Sequence, residues 1–200
     1  MDDLLKYIIV AIVSYLFGSL NFSIIVSKYA NGSDIRGFGS GNAGITNYIR
    51  SFGAKSALGV LLGDVLKCVV PVLLAGWMVG FMGKLIAGIA VILGHMFPIF
   101  FRFKGGKGVL TTAALILVLD WRIFLICISF FIGIVLVTKY VSLGSVCAVA
   151  ALPICTWLFY GAHLQFIVAT SVIAALVIFM HRANIKRLIE GTESKFKFRN

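Results

Sequence analysis

Acidic residues are scarce in this chain. Only seven Asp and Glu occur among 200 residues, and all charged residues make up 12% of the composition, against 60% for hydrophobic ones. A soluble domain of this length has about a quarter charged residues. The composition therefore excludes a soluble protein and predicts an all-α integral membrane protein.

Several catalytic signatures are also missing. The chain has no HExxH helix, no GxSxG nucleophile elbow and no carboxylate pair spaced for glycoside hydrolysis. It also lacks the aspartate array of the CDP-alcohol transferases. Its four cysteines lie within apolar runs and form no CxxC pair, which implies neither a disulfide nor a metal. An enzyme built this way would bind phosphates through cations and amides, and we predict no cofactor and no metal.

Long apolar runs predict seven transmembrane helices in one domain over residues 1–200. The predicted spans are Leu4–Tyr29, Ala54–Val79, Leu85–Phe101, Val109–Leu119, Trp121–Thr138, Val141–Tyr160 and His163–Met180. The fourth is short, and without it every later loop would change sides. The first run lacks a basic region and a cleavage site, which predicts a retained helix. Its polar patch is expected to face other helices. The patch consists of Ser19, Asn21 and Ser23.

Basic residues give this arrangement a direction. The net charge is +11, and Lys and Arg concentrate in alternate loops and in the tail. Cytoplasmic loops of membrane proteins carry such an excess. The pattern therefore predicts the N-terminus outside and the C-terminus in the cytoplasm. The loops after the first and third spans, both rich in glycine, and the tail would then lie on the cytoplasmic face.

The first polar segment, Gly32–Arg50, reads GSDIRGFGSGNAGITNYIR. Its glycines allow sharp turns and close approach to a bound group, and successive inward amides form an anion-binding nest. Arginine adds bidentate phosphate donors. The alternative is a solvated loop whose arginines hold the cytoplasmic surface. The candidate ligands are Gly39, Ser40, Gly41, Asn42, Thr46, Asn47 and Arg50.

The second polar segment, Phe103–Gly108, reads FKGGKG. It departs from the P-loop because Gly108 follows Lys107 where Ser or Thr is required, so nucleotide hydrolysis is not indicated. A basic loop binding lipid headgroups is the alternative. Two basic glycine-rich loops on one face favour a phosphate site. The candidate ligands here are Lys104, Gly105, Gly106 and Lys107.

Ionisable side chains also occur inside the predicted spans. Asp64 and Lys67 stand at i and i+3 on one helix face, and we expect them to form an ion pair that also shapes the site. His95 is either a packing residue or a catalytic one, and Pro98 is expected to kink its helix.

In the tail HRANIKRLIEGTE, His181–Glu193, the spacing allows His181, Asn184 and either Lys186 or Arg187 to share one helical face. A basic helix lying on anionic lipid is the alternative reading.

These motifs, in this order, resemble those of the bacterial acyl-phosphate:glycerol-3-phosphate acyltransferases, the PlsY family. The likeness covers the whole chain. The matching stretches are GSDIRGFGSGNAGITN (Gly32–Asn47), GDVLKC (Gly63–Cys68), GHMFPIFFRFKGGKGVLT (Gly94–Thr111) and the tail. Ile45, Cys68 and Leu110 depart from the family pattern. Each departure is uncharged and removes no phosphate ligand.

The resemblance implies transfer of a fatty acyl group from acyl phosphate to the 1-hydroxyl of sn-glycerol 3-phosphate. The products would be lysophosphatidate and phosphate, in phospholipid synthesis. It further implies a monomer in the bacterial inner membrane, with a cytoplasmic active site and the acyl-phosphate-producing enzyme as a partner. A phosphate or organophosphate transporter is the alternative, although the sequence shows no internal repeat of the kind common in transporters.

The resemblance also assigns roles. Catalysis would fall to Ser40, Arg50, Lys107 and Asn184. Substrate or phosphate binding would fall to Gly39, Gly41, Asn42, Thr46, Asn47, Lys104, Gly105, Gly106 and His181, with Asp64, Lys67 and His95 in support. Lys107 and Arg50 would neutralise the departing phosphate. A substrate phosphate is expected to accept the hydroxyl proton, and His95 or His181 as the base is the competing mechanism.

Overall fold

The structure is a computed structural model that describes residues 3–161 and 163–196. These residues form α-helices, two 3₁₀ turns (Ile35–Gly37 and Ile99–Phe101) and loops, with no strand among them. The helices are α1 (Asp3–Ser19), α2 (Phe22–Asn31), α3 (Ile45–Phe52), α4 (Ala57–Met96), α5 (Val109–Leu119), α6 (Trp121–Thr138), α7 (Val141–Tyr160), α8 (Leu164–Met180) and α9 (Arg182–Ile189). The prediction of an all-α protein is confirmed. The chain divides into two compact units, the first ending at Leu119 and the second beginning at Asp120.

The first predicted span is broken in the structure. Between α1 and α2, the Asn21 side chain accepts a hydrogen bond from the Ile24 amide (3.1 Å) and so caps α2. Asparagine is a strong N-cap because its oxygen satisfies an unpaired helix-terminal N–H. Ser19, Asn21 and Ser23 are all fully buried, which confirms that the polar patch faces protein.

α4 is not one straight helix. A straight α-helix of 40 residues would measure about 60 Å, twice the apolar thickness of a bilayer. Val79 and Gly80 have non-helical backbone angles, and a side chain at Gly76 would overlap that of Lys84. Residues eight apart lie about 12 Å apart along a straight helix. The chain therefore reverses at Val79–Gly80, and α4 consists of a first arm (57–78) and a second arm (81–96).

The two arms correspond to the second and third predicted spans, with one correction at the end. The second arm stops at Met96, so His95 lies in its last turn, nearer the helix end than predicted. Pro98 does not kink this helix, because the helix has already ended at Phe97 (φ −126°, ψ 63°). The residue before a proline is sterically pushed out of the helical region.

Within residues 3–161 and 163–196, four helical segments are long and apolar enough to cross a membrane, and α8 with α9, bent by 59°, would make a fifth. The four are Asp3–Asn31, Ala57–Phe101, Trp121–Thr138 and Val141–Tyr160. Ala57–Phe101 is one of these four segments, although its chain reverses at Val79–Gly80. α5 has the predicted bounds, but its 11 residues span only about 16 Å. The total of seven crossings therefore stays a prediction.

Small residues let the helices of the first unit pack closely. A Cβ at Gly18 of α1 would overlap the backbone of Val91, and one at Gly94 would overlap the Tyr15 carbonyl. Close backbone approach at small residues is the usual basis of helix association in membranes. α1 is thereby held against the second arm of α4. α5 packs on the same arm, where a Cβ at Gly88 would overlap Leu115.

The second unit is a run of neighbouring helices, with α7 contacting both α6 and α8. Asp120 caps α6 by accepting hydrogen bonds from the Arg122 and Ile123 amides, and it also accepts one from the Tyr160 hydroxyl at the end of α7. The hydrogen bond from the Arg122 side chain, together with the one from Tyr160, holds the pKa of Asp120 well below its usual range. This carboxylate ties the start of α6 to the end of α7.

Candidate active site

Asn47 organises the first polar segment from within. Its side-chain oxygen accepts a hydrogen bond from the Ser40 amide (3.0 Å), and its amide group donates to the carbonyls of Phe38 (2.9 Å) and Asn42 (3.0 Å). Gly39 turns beside it with φ +55°, and a Cβ there would overlap the Asn47 oxygen. Asn47 uses both polar atoms of its side chain to shape the loop, and its predicted contact with substrate stays a prediction.

The other predicted ligands of this segment are more accessible. Gly39, Ser40 and Gly41 are exposed, and Asn42 is half-buried. Thr46 and Arg50 lie on α3 and are half-buried. The loop therefore carries Ser40 on its outer surface, with its backbone fixed by a buried side chain.

The second polar segment is fastened to the end of α4. The amides of Gly105 and Gly106 donate to the carbonyls of Met96 (3.2 Å) and His95 (3.1 Å). A Cβ at Gly105 would overlap the His95 carbonyl, and one at Gly106 would overlap the His95 ring. These two amides, expected to cradle an anion, are already engaged with α4. The two glycines are required here because the loop lies directly on the helix end.

Lys104 and Lys107 flank those glycines. Lys104 is exposed, whereas Lys107 is half-buried one residue before the Gly108 that leads into α5. The chain reaches Lys104 through Arg102 (φ 57°) and Phe103 (φ 56°), two successive left-handed residues that are not glycine. Such residues cost about 1–3 kcal/mol each and concentrate at functional sites.

Arg36 joins the two polar segments. One terminal nitrogen of its guanidinium donates to the carbonyls of Phe101 (2.8 Å) and Lys104 (3.2 Å). The other nitrogens donate to Asp34, at 3.0 and 2.8 Å. An open cleft of about 470 Å³ lies at this junction. It is lined by Asp34, Arg36, Gly41, Arg102, Lys104 and Gly105. Three cations and one carboxylate make the cleft suitable for an anion.

Replacing Arg36 with lysine is expected to lower kcat/KM about 10- to 100-fold. Lysine cannot hold two carbonyls and a carboxylate in one planar fork, and hydrogen bonds involving a charged group contribute about 1.5–3 kcal/mol each. Turnover of glycerol 3-phosphate measures this. The matched control is Arg122→Lys, since Arg122 forms the same i,i+2 pair with Asp120. Equal losses in both variants would contradict a role for Arg36 at the cleft.

The ion pair between Arg36 and Asp34 also predicts how the Arg36→Lys variant depends on pH. The side-chain hydrogen bond from Arg36 lowers the pKa of Asp34 from 3.8 to about 2. Because the folded pKa lies below the ordinary value, the stabilisation is complete above about pH 4 and is lost as pH falls through about 2. The ratio of wild-type to Arg36→Lys kcat/KM should therefore be constant between pH 5 and 9.

Asp64, Lys67 and His95 meet between the two arms of α4. The Lys67 ammonium lies 2.7 Å from the Asp64 carboxylate and 2.9 Å from Nδ1 of His95. The expected Asp64–Lys67 pair is therefore present. The contact with His95 was not predicted, since it joins residues 28 apart in sequence that only the reversal of α4 brings together.

The second unit holds His181 and Asn184. His181, at the bend between α8 and α9, is buried and its Nδ1 lies 2.7 Å from the Val177 carbonyl. Asn184 donates to Glu193 at 2.6 Å. Burial raises the pKa of Glu193, but hydrogen bonds from Ser142, Asn184 and Arg187 outweigh it and hold the net pKa below its ordinary value. Glu193 belongs to the tail motif, but no role was predicted for it from the sequence.

The profile of the family described as glycerol-3-phosphate acyltransferase matches residues 8–191, more than nine-tenths of the chain. This chain belongs to that family. The membership confirms the resemblance drawn from the motifs, and the transporter alternative is not favoured.

Individual family members are similar over nearly the full length. A glycerol-3-phosphate acyltransferase of Thermoanaerobacter sp. is 42% identical over 188 residues, covering 94% of each chain. Crystal structures of PlsY (YgiH), an integral membrane glycerol 3-phosphate acyltransferase, are also similar. The glycerol 3-phosphate form has a TM-score of 0.90 at 36% identity and covers 96% of each chain. The lysophosphatidic acid form has a TM-score of 0.86 at 34% identity, covering 96% of this chain and 95% of that one. The protein is a multi-pass membrane protein of this family.

Proposed function

We propose that this protein transfers a fatty acyl group from acyl phosphate to the 1-hydroxyl of sn-glycerol 3-phosphate. The observation that carries the proposal is the cationic cleft where the two polar segments meet, in a chain of the glycerol-3-phosphate acyltransferase family. Both substrates bear phosphate, which a cleft lined by Arg36, Arg102 and Lys104 is suited to bind. Exposed large apolar side chains on the described helices offer a lipid-facing surface for the acyl chain.

In the reaction, the carbonyl carbon of acyl phosphate forms a bond to the glycerol oxygen and loses its bond to the phosphate oxygen. Lys107 and Arg50 neutralise the departing phosphate, which stabilises charge as it develops. Ser40 holds a substrate, and the family resemblance gives the same role to Asn184 and His181. Fixing hydroxyl and carbonyl together supplies much of the rate enhancement. The hydroxyl proton passes to a phosphate oxygen of the substrate, so the released group is hydrogen phosphate.

The proposal includes a topology. Seven crossings would follow if each arm of α4 and the short α5 cross separately, with the N-terminus outside and the C-terminus in the cytoplasm. The basic residues of both polar segments support this orientation. Both units would then form one acyltransferase domain over residues 1–200, in the bacterial inner membrane. The protein would act as a monomer and receive acyl phosphate from the enzyme that makes it.

The test is a two-substrate assay on purified protein in detergent. Palmitoyl phosphate and glycerol 3-phosphate are supplied, and phosphate and lysophosphatidate are both followed. We expect equimolar products, with kcat reduced about 10²- to 10³-fold by Lys107→Ala, as for loss of one donor to a developing anion. Lys55→Ala is the control, because Lys55 is exposed in the loop before α4. Phosphate release without lysophosphatidate, or equal effects of both variants, would refute the proposal.

A further inference from the structure

The Asp64–Lys67–His95 cluster is buried between the two arms of α4. The three residues are at most 3% exposed. The Lys67 ammonium has three neighbours: the Asp64 carboxylate at 2.7 Å, the Leu20 carbonyl at 2.9 Å and Nδ1 of His95 at 2.9 Å. Asp64 also accepts a hydrogen bond from the Phe22 amide at 3.3 Å. The cluster thus joins both arms of α4 to the break between α1 and α2.

Counting protons fixes the tautomer of His95. An ammonium group has three donors and no lone pair, and Lys67 has three neighbours to receive them. Nδ1 of His95 must therefore accept, because a proton on that nitrogen would point at a cation. The ring is then neutral with its hydrogen on Nε2.

Nε2 of His95 lies where the two polar segments approach each other. A Cβ built on Gly106 would overlap Nε2, and the same point is 2.8 Å from the carbonyl oxygen of Ala43. Gly106 belongs to the second polar segment and Ala43 to the first. The backbone carbonyl of His95 also accepts the Gly106 amide at 3.1 Å. Both the ring and the main chain of His95 therefore face this junction.

We propose that Lys67 is a positioning residue that locks His95 as a fixed Nε2–H donor at the junction of the two polar segments. When substrate is bound, a phosphate oxygen is the partner of this donor. In this state His95 cannot accept the glycerol hydroxyl proton, because Nδ1 is occupied by Lys67 and Nε2 already carries a hydrogen. The inference rests on the proposed binding of phosphate where the two polar segments meet.

His181 provides an internal contrast. Its Nδ1 lies 2.7 Å from the Val177 carbonyl, which can only accept. The neutral ring of His181 therefore carries its hydrogen on Nδ1, opposite to His95. The two histidines should be distinguishable by the nitrogen that is protonated.

Nuclear magnetic resonance tests the tautomer directly. The full chain is labelled with [¹⁵N]histidine, and long-range ¹⁵N–¹H correlations are recorded in detergent at pH 7, with His95→Gln assigning the His95 signals. We expect an Nε2–H pattern for His95 and an Nδ1–H pattern for His181. In the double variant Asp64→Asn/Lys67→Met, which removes both charges together, the His95 pattern should become a mixture. An Nδ1–H or doubly protonated His95 in the wild type would overturn the inference.

Kinetics test the donor. Glutamine places an amide N–H near the position of Nε2, whereas asparagine reaches only the Nδ1 position, where its oxygen still accepts from Lys67. We expect His95→Gln to retain kcat within about 10-fold and His95→Asn to fall about 10- to 100-fold further, as for loss of a hydrogen bond to a charged group. KM for glycerol 3-phosphate should change less than kcat.

The outcomes separate this inference from the proposed function. A base role for His95 predicts equal losses of about 10²- to 10⁴-fold in both variants. Equal losses in both variants, with an active wild type, would refute the inference on His95 and leave the proposed function standing. A wild-type protein that makes no lysophosphatidate would instead refute the proposed function, whatever tautomer His95 shows.

Discussion

Replacing Asp64 with alanine is expected to lower the free energy of unfolding by about 3–5 kcal/mol. The change leaves the Lys67 ammonium, 3% exposed between the arms of α4, without its counter-ion. Removing one partner of a buried ion pair is strongly destabilising because the other charge stays uncompensated. Tryptophan fluorescence during titration with sodium dodecyl sulfate measures the effect.

The control for this prediction is the double variant Asp64→Asn/Lys67→Met. Removing both charges of a buried pair is often nearly neutral, so the double variant should unfold closer to the wild type than Asp64→Ala does. If the single and double variants are equally destabilised, the lost stability comes from packing and not from leaving the Lys67 charge uncompensated.

Replacing Gly106 with alanine is expected to reduce kcat/KM by at least about 100-fold. The added methyl group would overlap the His95 ring and lie 2.8 Å from the Ala43 carbonyl. A buried ring and a backbone carbonyl cannot both move aside, so the second polar segment must shift with Lys107. A displacement of about 1 Å in a catalytic constellation costs about 10²-fold.

Gly37→Ala is the matched control, because Gly37 lies in the first polar segment and a Cβ there meets nothing within 4 Å. It should retain wild-type turnover. Full activity in Gly106→Ala, with thermal stability unchanged, would show that the junction tolerates displacement and that His95 does not set its geometry.

Continuous apolar runs made much of the fold predictable. α5, α6 and α7 have the predicted bounds, because each is a predominantly apolar stretch followed by a polar or glycine residue. The break at Asn21 was not predicted, since one capping side chain overrode an apolar pattern that continues on both sides. A kink at Pro98 was predicted because the apolar run continues past it to Phe101, whereas the helix ends at Met96, two residues before the proline.

The site was less accessible to sequence reasoning. Motif composition identified the two polar segments, but not which donors are used internally. Asn47 and the amides of Gly105 and Gly106 have the chemistry of anion ligands, yet in the fold they bind backbone carbonyls. The hydrogen bonds from Arg36 to Phe101 and Lys104 and the contact between Lys67 and His95 join residues far apart in sequence. No local sequence pattern predicts such contacts.

The position of Asp64 one turn before Lys67 has a consequence for biogenesis. Because both residues belong to the first arm of α4, their ion pair can form within a single helix before any other helix is in place. An isolated charge at the bilayer centre costs several kcal/mol to insert. A nascent helix that neutralises its own charges can enter the lipid alone, and Lys67 then contacts Leu20 of the preceding segment and His95 of the following arm as the fold assembles.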